Sequence, residues 1–218
     1  MSLTQPEFLN FIRNCFKENN SDFDKILNKL NPEMKNKLQI YSHFYYFICR
    51  PDKQEKREEL SLIGVTSLIE AMMAEIEYRG IFEYFESEFP DTNKIKDVKK
   101  FKEDYFSKYG TNKKIISYFE KYISKDDAAE VIKGIKVYSA QTDNFKSLKD
   151  LNELAKLLYQ MRNDFVHRAE MRNFCPKNVD FALLKVGKEY YDVFINIDSI
   201  LRIFERSFVE YWKEKAGL

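Results

Sequence analysis

Glycine and proline are scarce in this chain, with six and five residues among 218. Proline interrupts a helix because it lacks a backbone N–H, and glycine because its backbone has the most conformational freedom to lose. So few interruptions favour long helices.

Cysteine and histidine are also scarce. The three cysteines (Cys15, Cys49 and Cys175) are widely spaced, and the two histidines are His43 and His167. No CxxC or HxxxH pair occurs, so the sequence indicates neither a disulfide framework nor a zinc site. We expect a reduced, cytoplasmic chain without a metal or cofactor.

Long apolar runs and a strong net charge are absent as well. No apolar run of about 18 residues and no signal-peptide core appears, so no membrane partner is expected. The net charge of +1 argues against wholesale coating of a polyanion, although local basic patches stay possible. With 44% hydrophobic residues, the chain can bury a sizeable core as one domain, or as a domain with an extension.

Apolar residues recur at three- and four-residue spacing along most of the chain, as amphipathic helices require. The longest such segment runs from Glu55 to about Phe85 and is typical of a bundle helix. Further helices are predicted from Pro6 onward, over 22–30, 32–49, 112–123, 126–137 and 151–170, and at the C-terminal end. Residues 1–50 are expected to form a helical extension packed on the main helical domain, residues 51–218.

The segment FALLKVGKEYYDVFIN, residues 181–196, has a different pattern. Two short β-branched and aromatic runs flank Gly187 and Lys188, which predicts a small β-hairpin before the last helix. Residues 141–149 are predicted to be a loop. The expected fold class is therefore all-α, a helical bundle with one small hairpin.

Residues 94–114 carry eight lysines against three acidic residues, with aromatic residues interleaved. Such a pattern can follow a phosphate backbone and stack bases, and the candidate RNA-binding residues are Lys96, Lys99 and Lys100. The alternative is an amphipathic helix with a solvated lysine face.

The helix predicted over 151–170 carries Arg162, Asn163 and His167 in its last turns. Its expected core stripe is Leu151, Leu154, Leu158, Met161 and Phe165. At about 100° per residue, Arg162 lies at the edge of this stripe, whereas Asn163 and His167 lie on the opposite face. The flank between them carries Tyr159 and Val166 and would suit a second protein surface, such as another copy of the chain.

These three side chains have limited and definite chemistry. Histidine moves protons near neutral pH, and arginine binds phosphate through its planar fork. Asparagine positions neighbouring groups by hydrogen bonding. The set matches metal-free RNA cleavage, in which a base and an acid are both needed. One chain offers one such histidine, and two chains offer both groups. The alternative is that Arg162 and His167 are ordinary surface residues.

The segment Arg162-Asn163-Asp164-Phe165-Val166-His167 resembles the R-x4–6-H motif of the HEPN superfamily (higher eukaryotes and prokaryotes nucleotide-binding). A polar residue directly after the arginine is the usual form in that family. The earlier segment SLIEAMM, a long insertion, the motif helix and a closing helix also resemble its bundle order, over roughly residues 55–217.

This resemblance implies a helical bundle that forms a homodimer through the motif helix. For many members it also implies metal-independent endoribonuclease activity on RNA, in toxins, phage-defence effectors or RNA-processing enzymes. His167 would then be the general acid or base, Arg162 would stabilise the phosphate transition state, and Asn163 would support the geometry. An antitoxin or defence partner would be expected. Other members are catalytically inactive modules that bind a nucleotide or a protein, and this alternative stays open.

Supporting roles are predicted for Glu70, Ser67 and Tyr159. Glu70 and Ser67 lie on the earlier long helix and could face the motif helix, where a structural pairing of Glu70 with Arg162 is the alternative. His43 is predicted to pack among aromatic residues, and Cys175 to be inert.

Overall fold

Helices form most of the chain. The structure is a computed structural model that describes residues 6–50, 58–77, 83–84, 98–139, 143–168, 183–186, 189–193 and 197–218. The N-terminal helices are α1 (Pro6–Glu18), α2 (Phe23–Lys29) and α3 (Pro32–Phe44), and α3 continues into a π-helical turn over Tyr45–Cys49. The later helices are α4 (Glu58–Glu77), α5 (Val98–Tyr109), α6 (Thr111–Tyr122), α7 (Lys125–Gly134), α8 (Leu151–Arg168) and α9 (Ile197–Lys215). The all-α fold class is confirmed.

Side-chain caps fix several helix starts. Asp22 accepts a hydrogen bond from the backbone N–H of Lys25, and Asn31 accepts one at the start of α3. Ser124 caps α7, because its hydroxyl accepts a hydrogen bond of 3.1 Å from the backbone N–H of Asp127. Such caps satisfy backbone donors that have no partner inside the helix. None of the described helices is long and apolar enough to cross a membrane.

Four short strands form one antiparallel sheet in the order β2-β1-β4-β3. They are β1 (Ile135–Ser139), β2 (Asn144–Ser147), β3 (Leu183–Val186) and β4 (Glu189–Val193). Strands β3 and β4 form the predicted hairpin before the last helix, with Val186 opposite Glu189. The hairpin prediction is confirmed.

Two neighbouring predictions were wrong. The helix predicted to reach Val137 ends at Gly134, and the predicted loop over 141–149 contains β2. The physical reason is a distant partner, because β1 pairs with β4 and places Val137 opposite Tyr191. Pairing with a distant strand overrides the local helical pattern at residues 135–137.

The core is built around α9, whose large aromatic side chains are buried along one face. These are Phe204, Phe208, Tyr211 and Trp212. Side chains of α1 and α3, among them Phe16 and Leu38, belong to the same continuous apolar cluster. Met72 and Met73 of α4 are also buried in it. The N-terminal helices therefore share one core with the rest of the described chain.

Helices α4, α6 and α8 pack against one another, and β3 also contacts α8. In this arrangement, Glu70 lies on α4, Lys114 on α6 and Arg162 on α8. The position of the candidate site is set by this three-helix junction.

Candidate functional site

Helix α8 begins at a side-chain cap and is fixed by its apolar face. Asp150 accepts hydrogen bonds of 2.9 and 3.0 Å from the backbone N–H groups of Asn152 and Glu153. The buried face consists of Leu154, Ala155, Leu157, Leu158 and Met161. This burial fixes the rotation of α8 about its axis and so determines which of its side chains reach solvent.

One position of the predicted core stripe was wrong. Phe165 is only half-buried, whereas Asp164 is 3% exposed and accepts a hydrogen bond of 2.8 Å from Gln160. The buried face of α8 also includes Leu157. The centre of this face therefore lies further from Arg162, around the helix axis, than the centre of the predicted apolar stripe. A buried carboxylate needs hydrogen-bond partners, which Gln160 supplies one turn earlier.

Arg162 lies at the edge of this buried face, where its side chain is 25% exposed. One guanidinium nitrogen (Nη2) is 3.3 Å from Glu70 Oε2, and the other (Nη1) donates a 3.3 Å hydrogen bond to Asn163 Oδ1. Its Nε is buried and has no hydrogen-bond partner within the described part of the chain. The guanidinium is therefore held at both ends of its fork and remains partly accessible.

His167 is exposed and lies in the last turn of α8. Asn163 is half-buried, four residues earlier, so the two side chains share a face of the helix. His167 follows Arg162 by five positions, which corresponds to roughly 7.5 Å along the helix axis and about 140° around it. Within one chain, the exposed imidazole and the partly exposed guanidinium therefore lie on different faces of the last turns of α8.

The supporting residues differ in their contacts. Glu70 is the ion-pair partner of Arg162, with 23% of its side chain exposed. The hydroxyl of Ser67 donates a hydrogen bond of 2.9 Å to the backbone carbonyl of Ile63 within α4. Tyr159 is half-buried against the core. The structure thus brings Glu70 to the motif, whereas the Ser67 hydroxyl is used within its own helix.

Lys114 is a residue at this junction that the sequence analysis did not single out. It is only 8% exposed, and it lies on α6 one turn before Tyr118, which is fully buried. Burial lowers the pKa of Lys114, and the negative charge of Glu70 partly offsets that effect. The four-residue spacing of Lys114, Tyr118 and Tyr122 was the signal that could have identified Lys114 as part of a buried face.

Residues 98–109 of the lysine-rich segment form α5, an amphipathic helix. In α5, Phe101 and Tyr105 are buried in a small cluster with Tyr84, whereas Phe106 is 57% exposed. Most of its aromatic rings therefore pack within the protein and are not free to stack on bases. The backbones of Lys99 and Lys100 lie in the first turn of α5, and Lys96 lies outside the described residues.

A separate open cavity of about 430 Å³ lies between α1, the π-helical turn and α9. It shares no lining residue with the motif. Its charged lining consists of Glu18, Asp198, Glu205, Arg50 and Arg202. Burial raises the pKa of Glu205, whose carboxylate accepts a 2.7 Å hydrogen bond from Tyr45. Carboxylates outnumber guanidinium groups in this lining, so the cavity is a poor site for a phosphate.

No family model, no curated protein and no solved structure matches this chain. The HEPN resemblance therefore rests on the motif, on its place near the end of α8 and on the order of the helices.

Other candidate groups lie away from the motif. His43 packs against the rings of Phe8 and Phe47, with centroid distances of 4.1 and 5.2 Å, as predicted. No group of three or more potential metal ligands occurs within the described ranges. Cys175 lies outside them. The last turns of α8 thus carry both a proton-transfer group and a phosphate-binding group.

Proposed function

We propose that this chain is a metal-independent endoribonuclease of the HEPN type that acts as a homodimer through α8. The observation that carries the proposal is the arrangement at the end of α8. Arg162 is held there by Glu70 and Asn163, and His167 is exposed in the last turn of the same helix. A fixed guanidinium and an accessible imidazole are the groups that metal-free phosphodiester cleavage requires.

The reaction would proceed by transfer within the RNA backbone. One imidazole removes the proton of a ribose 2′-hydroxyl, and the 2′-oxygen attacks the adjacent phosphorus. The bond from phosphorus to the 5′-oxygen breaks, and a second imidazole protonates that leaving oxygen. The products are a 2′,3′-cyclic phosphate and a 5′-hydroxyl. Arg162 would bind the phosphate and stabilise the negative charge of the transition state.

The need for both a base and an acid is the argument for a dimer. One chain supplies a single histidine at this site, because His43 is packed among aromatic rings elsewhere. A two-fold axis beside α8 would bring two copies of His167 together and give the site both groups. Val166 is 52% exposed on the same helix end and supplies apolar surface for such a contact.

The cellular role proposed for this activity is that of a toxin or phage-defence effector, with an antitoxin or defence partner controlling it. This part of the proposal is supported by the HEPN resemblance alone.

A catalytically inactive module that binds a nucleotide or a protein partner is the second candidate. The ion pair between Glu70 and Arg162 favours it, because a guanidinium already paired with a carboxylate has less attraction for phosphate. The two candidates make opposite predictions about turnover.

The direct test is RNA cleavage by purified protein in the presence of EDTA. The wild-type chain should give products ending in a 2′,3′-cyclic phosphate, and His167→Ala should abolish them while circular dichroism stays unchanged. Lys156→Ala is the matched control, because Lys156 is an exposed residue elsewhere on α8. Equal cleavage by wild type and His167→Ala would refute the assignment, and no cleavage of any RNA would favour the binding module.

A mixing experiment tests whether the site belongs to the dimer. Wild type and His167→Ala are unfolded together and refolded in different ratios at constant total protein. If both copies of His167 are needed, an equal mixture should retain about one quarter of the activity, because only wild-type pairs are active. Activity of about one half would show that each chain works alone.

A further inference from the structure

Three charged residues meet where α4, α6 and α8 pack together. Glu70 Oε2 is 3.3 Å from Arg162 Nη2, and the two side chains are 23% and 25% exposed. Lys114 enters the same junction from α6 and is 8% exposed. Two cations therefore share the field of one carboxylate, and the three residues together carry one net positive charge.

Lys114 lies on α6, which packs against α4, and its ammonium group lies within the electrostatic field of the Glu70 carboxylate. Burial lowers the pKa of Lys114, and among its neighbours Glu70 is the group that raises it again. An ammonium group in this position stabilises the Glu70 carboxylate whether or not Arg162 also pairs with it. Glu70 thus has a second source of positive charge on a different helix.

Both terminal nitrogens of the Arg162 guanidinium already have a partner in the free protein. Nη2 faces Glu70, Nη1 donates to Asn163, and the buried Nε has no hydrogen-bond partner among the described residues. Because Nε is buried, a phosphate bound through two N–H groups would use Nη1 and Nη2, where it meets the like charge of the Glu70 carboxylate 3.3 Å from Nη2. Asn163 is neutral, so the ion pair with Glu70 is the stronger restraint on the guanidinium.

We propose that Glu70 is an exchangeable counter-ion. It pairs with Arg162 in the free protein, and its charge is balanced by Lys114 when an RNA phosphate binds Arg162. This inference rests on the proposed function, because it takes the anion to be an RNA backbone phosphate. Without Lys114, release of Arg162 would leave the half-buried Glu70 carboxylate without a compensating charge, and this carboxylate would also repel the incoming phosphate. Both effects are unfavourable. Lys114 removes that penalty because its positive charge stays beside Glu70.

The exchange predicts opposite effects for two substitutions in one junction. Glu70→Gln removes the restraint on Arg162 and should tighten RNA binding by about tenfold, the effect of removing one like charge near the phosphate. Lys114→Met keeps the apolar stem but removes the charge that compensates Glu70, and it should weaken binding by about tenfold. The double variant should bind about as well as wild type. A merely structural junction would give weaker binding in both single variants.

The test is fluorescence anisotropy with an RNA oligonucleotide whose riboses are 2′-O-methylated. This probe keeps the phosphates but lacks the attacking hydroxyl, so binding is measured without cleavage. Lys113→Met is the matched control, since Lys113 is an exposed lysine directly before Lys114. Circular dichroism and urea unfolding establish that each variant is folded, and Lys114→Arg should restore the affinity that Lys114→Met loses.

The outcomes separate this inference from the proposed function. Tightening by Glu70→Gln, weakening by Lys114→Met and a near-neutral Lys113→Met support the exchange, even if unmodified RNA is never cleaved. Cleavage of unmodified RNA without tightening by Glu70→Gln keeps the ribonuclease and overturns the exchange. Absence of RNA binding by the wild type and by every variant overturns both.

Discussion

A charge placed on the exposed end of α8 should disrupt the dimer and leave the monomer folded. Val166 is the residue of choice, because its side chain is 52% exposed in the single chain. Burying a valine fully stabilises a structure by roughly 1.5–2 kcal/mol, so the exposed half would contribute about 1 kcal/mol per subunit in an interface. Two copies related by a two-fold axis would contribute about 2 kcal/mol.

Val166→Lys removes that contribution and also places two ammonium groups near each other across the axis. The dissociation constant should rise at least about 30-fold, since about 1.4 kcal/mol corresponds to a factor of ten. Sedimentation velocity over a concentration series measures this constant. RNA cleavage should fall with the dimer fraction and recover as the protein concentration is raised. The urea midpoint of the monomer should change little, because the site is half-exposed.

Phe106→Lys is the matched control, since Phe106 is 57% exposed but lies on α5. It should leave the dissociation constant within about threefold of wild type. Equal weakening by the two substitutions, or none by Val166→Lys, would refute an interface at the end of α8. A wild-type chain that stays monomeric at about 100 μM would refute the dimer itself.

Two further predictions concern stability. Gly64→Ala should lower the free energy of unfolding by about 1–2 kcal/mol, because a Cβ there would lie 2.8 Å from Cys49 Sγ. In urea titrations, Cys49→Ala in the same chain should remove most of that loss, and simple additivity would contradict the reasoning. Asp127→Asn should lower the free energy of unfolding by only about 1 kcal/mol, because the Arg206 side chain is 42% exposed and solvent screens its ion pair with Asp127. Burial raises the pKa of Asp127, but hydrogen bonds from Arg206 and Ser124 outweigh it, so the pKa lies below 3.8. The pair's contribution is therefore fully present above the pKa of an unfolded aspartate, about 4, and declines as the pH falls through the lowered folded-state pKa. A stability difference between wild type and Asp127→Asn that did not decline on acidification would contradict this.

Local patterns in the sequence predicted the helices well, because helix formation depends on neighbours three and four residues away. The hairpin of β3 and β4 was predictable for the same reason, since its partners are adjacent in the chain. Strand β1 was not, because its partner Val193 lies far from Ile135 in sequence. No local sequence signal shows that α7 ends and a strand begins at this point, because the partner of that strand is distant in the sequence.

At the candidate site, the angular position of each α8 residue could be predicted but its partners could not. The helical count placed Arg162 at the edge of the buried face and His167 in solvent, as the structure has them. It failed at Phe165, where the packing of α8 on the core diminishes near the helix end. Lys114 belonged to the lysine-rich segment, for which RNA contact or a solvated face was predicted, and neither prediction indicated that it is buried on α6 within the field of Glu70.

The desolvation cost of placing three charged residues at this helix junction is an argument about their function. Buried ion pairs contribute little net stability, because desolvation of the charges offsets their attraction, and apolar residues of similar size often serve as well or better. Leucine and methionine at Glu70, Lys114 and Arg162 would satisfy the packing of three helices without that cost. Lys114 is nevertheless charged at 8% exposure, and Arg162 keeps a buried Nε without a hydrogen-bond partner among the described residues. Stability alone does not account for these charges, whereas the proposed binding of an RNA phosphate at the edge of the junction would. The same reasoning identifies Glu70 as the residue that limits this binding, because it alone among the three opposes the charge of a phosphate.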